Sequence, residues 1–153
     1  KVKGRNVGAY ETLNEVLVSL FRDVNDIEQK AIITSEFGDL TNNDMHVIEA
    51  IGIHEPKNMS TIARALSVTV GTLTISMNSL VKKGYVDRQR SSEDRRVVYI
   101  SLSEKGVKAY HHHKKFHEQM IESVVKELTE EELEALVKAL TKLNSWFRSF
   151  EED

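Results

Sequence analysis

Eight basic side chains fall between residues 57 and 96, at Lys57, Arg64, Lys82, Lys83, Arg88, Arg90, Arg95 and Arg96, against only Asp87, Glu93 and Asp94. That local balance of +5 sits in a chain of net charge −3, so the remainder sums to −8. A basic module inside an acidic frame suits a protein that meets phosphate with one face and stays dispersed with the rest. Next to the cations lie residues of the kind that reach base edges: Thr69, Gly71, Thr72, Thr74, Ile75 and Asn78. No Arg or Lys stands among them, so bidentate reading of guanine is closed to this stretch. What it offers is methyl contact from Thr72 and Ile75 to thymine, a hydroxyl from Thr74 and an Asn78–adenine pair. The expected target is therefore rich in A·T pairs.

The segment Arg90-Ser91-Ser92-Glu93-Asp94-Arg95-Arg96 adds a tight turn ending in two adjacent arginines, which alternation sends to opposite faces of a hairpin. One of them reaches a narrow A-tract minor groove, where the negative potential is deepest, and the other is braced by Asp94; the residues leave open which does which. Lys82, Lys83, Arg88 and Arg90 are expected to hold phosphates.

Several elements must carry these side chains. Residues 60–66 read as a short helix capped by Ser60, residues 70–83 as a second helix opening after Thr69, and Gly84 as its stop before a strand begins. On a helical wheel Val70, Leu73, Met77, Leu80 and Val81 form the inner stripe, with Gly71, Thr72, Ile75, Asn78 and Lys82 outward. Val86, Arg88 and Arg90 alternate along one strand, Val98, Ile100 and Leu102 along its return, and 91–95 is the turn. Helix, turn, helix and wing is the implied order.

Around this module the periodicity is helical. Leu13, Val16, Leu17, Leu20, Val24, Ile27 and Ala31 stripe a helix over 9–33. Thr41 with Asp44 starts another, carrying Met45, Val47, Ile48 and Ile51 up to Gly52. Ser103 caps a fifth helix to about 127, striped by Val107, Tyr110, His117, Met120, Ile121, Val124 and Leu128. Thr129 with Glu132 is a capping box for a last helix on Leu133, Leu136, Val137, Leu140, Leu143, Phe147 and Phe150. Its apolar steps average about 3.5 residues, as a seam between chains requires.

The fold class is thus mainly α with a small β-hairpin, a winged helix-turn-helix framed by long dimerisation helices. Residues 1–8 are an unstructured end or an expression remnant, 9–36 and 104–150 the frame, and 41–103 the DNA-binding module, in one intertwined domain. The frame alone has too little core for a monomer, which points to a homodimer.

Other functions find little support. The absence of cysteine excludes disulfides, thiolate catalysis and thiol redox sensing. No apolar run approaches the ~20 residues of a membrane span and no signal peptide opens the chain, so the cytoplasm is the expected compartment. There is no nucleophile with a base, no phosphate-cradling glycine loop and no paired carboxylates for an enzyme, and no cofactor is expected.

Three of these segments resemble the MarR family of bacterial transcriptional regulators: Ser79-Leu80-Val81-Lys82-Lys83-Gly84-Tyr85-Val86, Ser92-Glu93-Asp94-Arg95-Arg96 and Leu102-Ser103-Glu104-Lys105-Gly106. The likeness spans about residues 9–150. It implies a homodimer on pseudo-palindromic operators, with the fourth helix in the major groove and the wing in the minor groove, usually repressing. Within the family, residues 68–80, Arg95-Arg96-Val97-Val98-Tyr99 and His113-Lys114-Lys115-Phe116-His117 are similar to the repressors of fatty acid biosynthesis of streptococci and their relatives. That likeness implies tight DNA binding when the protein also holds a long-chain acyl group on acyl carrier protein. An acyl chain would then enter an apolar cavity, with Phe21, Met45, Ile48, Phe116 and Met120 as candidate lining and Arg22, Lys108, Lys114 and Lys115 as candidate docking cations for the acidic carrier.

His111, His112, His113 and His117 offer a rival. His113 and His117 stand four apart on one helical face beside Glu118, which has metal-ligand spacing. Zinc-responsive members of the family carry histidines on this helix. Lys114 and Lys115 would repel a cation, and the simpler expectation is a solvated polar face with His117 hydrogen-bonded at its edge. The alternatives to the acyl-responsive repressor are a zinc-responsive regulator and a helical interaction module that never meets DNA.

Overall fold

The first helix, α1 (Val7–Ile33), begins within the segment expected to be irregular, and turns only its C-terminal part inward, burying Glu28 and Ile32. Tyr10, Leu13, Val16, Val18, Leu20, Phe21 and Ile27 remain exposed along it. The structure, a computed structural model, describes residues 7–33, 36–94 and 96–149. Arg95 and Phe150, both named above, lie outside the described residues. The chain falls into two units, Lys1–Lys114 and Lys115–Asp153.

In the first unit, α2 (Asn42–Ile51) starts on the expected capping box: Asp44 N–H donates to Thr41 Oγ1 at 3.1 Å and Thr41 N–H to Asp44 Oδ2 at 3.0 Å. Its far end receives Lys57 Nζ on the Ala50 carbonyl at 2.8 Å, a cation where the helix dipole is negative. Lys57 belongs to β1 (Lys57–Asn58), a strand too short to leave a pattern in sequence. Helix α3 (Met59–Ala65) follows at once, and its cap is Asn58, whose Oδ1 accepts from Thr61 N–H at 2.8 Å, in place of the expected Ser60.

Helix α4 (Val70–Lys82) is capped by Thr69, whose Oγ1 accepts from Thr72 N–H at 3.1 Å. It ends against Gly84 at φ +81°, the left-handed conformation in which glycine has no Cβ to clash. Of its inner stripe Leu73, Met77 and Leu80 are buried, whereas Val81 is half-buried and Val70 exposed. Strands β2 (Val86–Arg90) and β3 (Val98–Leu102) pair antiparallel from Val86↔Leu102 to Arg90↔Val98. β1 pairs the other edge of β3. The expected hairpin is thus part of a three-stranded sheet of order β1-β3-β2. Met45, Ile48, Ile51, Ile62, Leu73, Met77, Leu80, Tyr85 and Ile100 make the fully buried core beneath it.

Helix α5 (Glu104–Lys126) starts in this unit and buries Gly106, Ala109 and His113 there, a different face from the large apolar stripe expected. Small residues allow a closer approach than Val107 and Tyr110 would. In the second unit, α6 (Glu130–Ser149) opens on its capping box, with Thr129 N–H donating to Glu132 Oε2 at 2.9 Å. Leu133 and Leu143 are half-buried, while Leu136, Val137, Leu140, Trp146 and Phe147 are exposed, as are Ile121, Val124 and Val125 on α5.

Candidate nucleic-acid interface

The outward face of α4 is the one the wheel assigns: Gly71, Thr72, Thr74, Ile75, Asn78 and Lys82 are all exposed, Ile75 to 74%. A β-branched hydrocarbon held so far out of the core adds little packing and has its methyl groups available for contact. Thr69 and Thr72 share a hydroxyl–hydroxyl hydrogen bond of 2.9 Å. With its hydroxyl turned back, Thr72 offers chiefly its methyl group outward. The Thr74 hydroxyl donates to the Val70 carbonyl at 2.7 Å, so toward a partner it serves only as an acceptor. Gly71 has space around it, the nearest atom to an added Cβ being Thr69 Oγ1 at 3.8 Å, so a phosphate could approach its backbone.

The cations separate into two groups. Lys82, Arg90 and Arg96 are exposed. Lys83, expected on a phosphate, instead sits half-buried with Nζ 2.8 Å from Asp44 Oδ2, and the Asp44 side chain is 8% accessible. One carboxylate therefore caps α2 and anchors the end of α4, 39 positions away, and the lysine is paired with that carboxylate within the chain. Arg88 is also engaged, its Nη2 donating to Asn78 Oδ1 at 2.7 Å.

The turn of the wing is braced from within. Ser91 Oγ accepts from the Glu93 and Asp94 N–H groups at 3.2 and 3.3 Å, and Asp94 Oδ1 accepts from Arg96 N–H at 2.9 Å. Asp94 thus holds the Arg96 backbone, where a carboxylate–guanidinium brace was expected, and Ser91 and Asp94 shape the tip. The Arg96 side chain is left exposed.

Sequence reasoning missed a cluster that fixes the end of α4 in place. Tyr85, fully buried, donates its hydroxyl to Asp39 Oδ1 at 2.5 Å. Lys105 Nζ stands 3.5 Å from Asp39 Oδ2, 3.1 Å from the Lys83 carbonyl and 4.0 Å from the centre of the Tyr85 ring. Burial by itself would raise the Asp39 carboxyl, but the Tyr85 hydroxyl and the Lys105 ammonium outweigh it and hold the group below its ordinary value. Burial and then the bond to Asp39 push the Tyr85 hydroxyl well above its usual range, so it stays a donor. Nothing in sequence pairs residues 39, 85 and 105; only the resemblance pointed at two of them.

The candidate ligand residues fare differently. Met45 and Ile48 are wholly buried in the core of the first unit, while Phe21 is 67% exposed on α1. Phe116 and Met120, in the second unit, are half-buried. Arg22 pairs with its neighbour Asp23 at 3.5 Å, and Lys114 and Lys115 are exposed. Lys108 borders a cavity of about 250 Å³ with Glu36, Phe37, Glu104 and Lys105, a lining of mixed charge unlike an acyl-chain tunnel. Among the histidines, His113 is 2% exposed rather than solvated, with Nε2 3.8 Å from Glu49 Oε2 and its ring 6.2 Å from that of His46. His117 is half-buried beside Phe116, 5.6 Å between ring centres.

A capped helix presenting an unsupported apolar and polar face, followed by a cationic wing, defines a winged helix-turn-helix regulator that binds DNA. Residues 40–98 match the model of the MarR family. The chain is 31% identical over 127 residues to the HTH-type transcriptional regulator SarZ of Staphylococcus haemolyticus, covering 83% of this chain and 85% of that one. In structure it resembles Streptococcus pneumoniae FabT in complex with DNA, with a TM-score of 0.88 and 38% identity over 92% of this chain and 99% of that one. It also resembles Staphylococcus aureus MepR in a DNA complex, TM-score 0.69, at 29% identity over 84% and 96% of the two chains. The chain belongs to the MarR family and is a DNA-binding transcriptional regulator, not an enzyme. Among the described residues no helix is long and apolar enough to cross a membrane.

Proposed function

We propose that the protein is a cytoplasmic repressor of fatty acid biosynthesis genes, acting as a homodimer on an A·T-rich pseudo-palindrome with long-chain acyl–acyl carrier protein as corepressor. The observation that carries the DNA half is the α4 face, with Ile75 exposed to 74% beside Thr72 and Asn78 and no guanine-reading cation in its first two turns. The likeness to FabT in complex with DNA, extending over 92% of this chain, supports the same half, and the segments similar to repressors of fatty acid biosynthesis, residues 68–80, 95–99 and 113–117, support the other. Exposed apolar side chains along α1, and separately along α6, are suited to burial against a second copy. In such a dimer the two α4 helices lie about one helical turn apart, ~34 Å, and half-site centres ~10 bp apart.

The test is operator affinity by fluorescence anisotropy with and without long-chain acyl–acyl carrier protein, repeated with zinc and with a chelator. Tightening by the acylated carrier alone supports the proposal. Loss of affinity on chelation with no response to the carrier would replace it with a zinc-responsive regulator, for which the spacing of His113 and His117 is the motive. A flat salt dependence, in place of roughly −0.9 in log–log slope per phosphate neutralised, would point to a module that does not bind DNA.

A further inference from the structure

We infer that Arg88 sets the base preference of the interface by positioning Asn78, and that Asn78 consequently meets a base edge with its amide nitrogen. The inference rests on the proposed entry of α4 into the major groove. Asn78 lies one turn beyond Ile75 on the exposed face of α4. Arg88 lies on β2, on the same face of the strand as buried Val86. Two residues past that anchor the strand has left the core, and the guanidinium turns back over α4 to donate from Nη2 to Asn78 Oδ1 at 2.7 Å.

An unconstrained asparagine amide flips freely and prefers adenine, accepting from N6 while donating to N7. Here a charge-assisted hydrogen bond, about twice as strong as a neutral one, keeps the oxygen toward the wing strand. The nitrogen is then the outward group. Its N–H finds acceptors on guanine N7 and O6, adenine N7 and thymine O4, and meets only a donor on cytosine N4. The wing thereby dictates what the helix reads, from outside the groove, and Arg88 is a positioning residue where simple charge counting makes it a phosphate contact. The adenine clamp that sequence assigns to Asn78 gives way to a donor-only contact that rejects cytosine.

The experiment uses the full chain and duplexes recovered by selection from a randomised pool, each then changed one base pair at a time and titrated at several salt concentrations. Arg88→Ala should change the preference at a single base pair per half-site, roughly tenfold, from exclusion of cytosine to the adenine that a freed amide prefers, and leave the salt slope unchanged. Arg88→Met, which keeps the aliphatic stem, should do the same, separating the hydrogen bond from packing. Adding Asn78→Ala to either should abolish that adenine preference, because the freed amide is what carries it. A salt slope reduced by about 0.9 with base preferences intact would make Arg88 an ordinary phosphate contact and overturn the inference. The wild-type exclusion of cytosine kept in Arg88→Met, or an adenine preference that survives Asn78→Ala, would overturn it too. Asn78→Ala alone distinguishes the two levels: if it changes no base preference, the major-groove proposal fails along with this one; if it flattens one base pair and Arg88→Ala leaves the wild-type preference there unchanged, only this one fails.

Discussion

Replacing Gly106 by alanine should destabilise the protein although it improves the helix. Alanine is favoured over glycine inside a helix by about 1 kcal/mol. A Cβ on Gly106, however, would stand 2.1 Å from the Tyr85 carbonyl oxygen and 3.1 Å from Leu102 Cβ, where ordinary contact begins near 3.4 Å. The start of α5 would have to withdraw by the difference, 3.4 less 2.1, or about 1.3 Å. That withdrawal acts on the joint it belongs to. Ser103 N–H donates to the same Tyr85 oxygen at 3.0 Å, and Ser103 Oγ both donates to the Gly84 carbonyl at 2.7 Å and accepts from Gly106 N–H at 3.1 Å. Overpacking of about 1–3 kcal/mol and a strained hydrogen bond of about 1 kcal/mol outweigh the propensity gain, leaving about 2 kcal/mol of net loss. For a chain of this length that lowers Tm by about 4–8 °C, read by circular dichroism or calorimetry. A Tm equal to or above wild type would mean that helix propensity decides this site and that the close approach is not a constraint.

Three further outcomes are expected. Lys83→Ala leaves the Asp44 carboxylate, 8% accessible, without its cation, and should cost about 2 kcal/mol, below the full buried-pair value because Lys83 is itself a quarter accessible; the salt slope of DNA binding should not change, and a fall of about 0.9 would assign Lys83 to phosphate. Asp39 is held below its ordinary value, so its contribution is present above the unfolded carboxylate value, about 3.9, and is lost as pH falls through the lower folded one. Urea titrations should accordingly show wild type above Asp39→Asn at neutral pH, with the gap closing only in acid; a gap independent of pH would remove the ionised carboxylate from the account. Ile75→Ala should leave Tm within about 0.5 kcal/mol equivalent, since the side chain is 74% exposed, yet weaken operator binding; unchanged affinity would take α4 out of the groove.

Much of the α4 face was legible because it depends only on a 3.6-residue period and on local caps. Leu73, Met77 and Leu80 inward, Thr72, Ile75 and Asn78 outward, Thr69 before and Gly84 after are all short-range facts, and the structure keeps each of them. The capping boxes at Thr41 and Thr129 span three residues and were equally readable. Asn58 displaced Ser60 as the cap of α3 because both are good caps two positions apart, and the pairing of β1 with Ile100 and Tyr99 of β3 decides between them. For α5 the sequence offers two faces, one large and apolar and one small, and the first unit buries Gly106 and Ala109 because the Tyr85 carbonyl lies within reach.

By itself the sequence determined the order of the helices and of the two hairpin strands, the capped helix with its outward residues, and a basic module in an acidic frame, since each follows from neighbours within about one helical turn or from a count of charges. Only the tertiary structure decided which of the cations have partners within the chain. Lys83 is held by Asp44, 39 positions away, Lys105 by Asp39, and Arg88 by Asn78 across the joint between helix and wing. A charge count assigns Lys83 and Arg88 to phosphate because composition carries no distances, and Coulomb attraction and desolvation act through distance and burial.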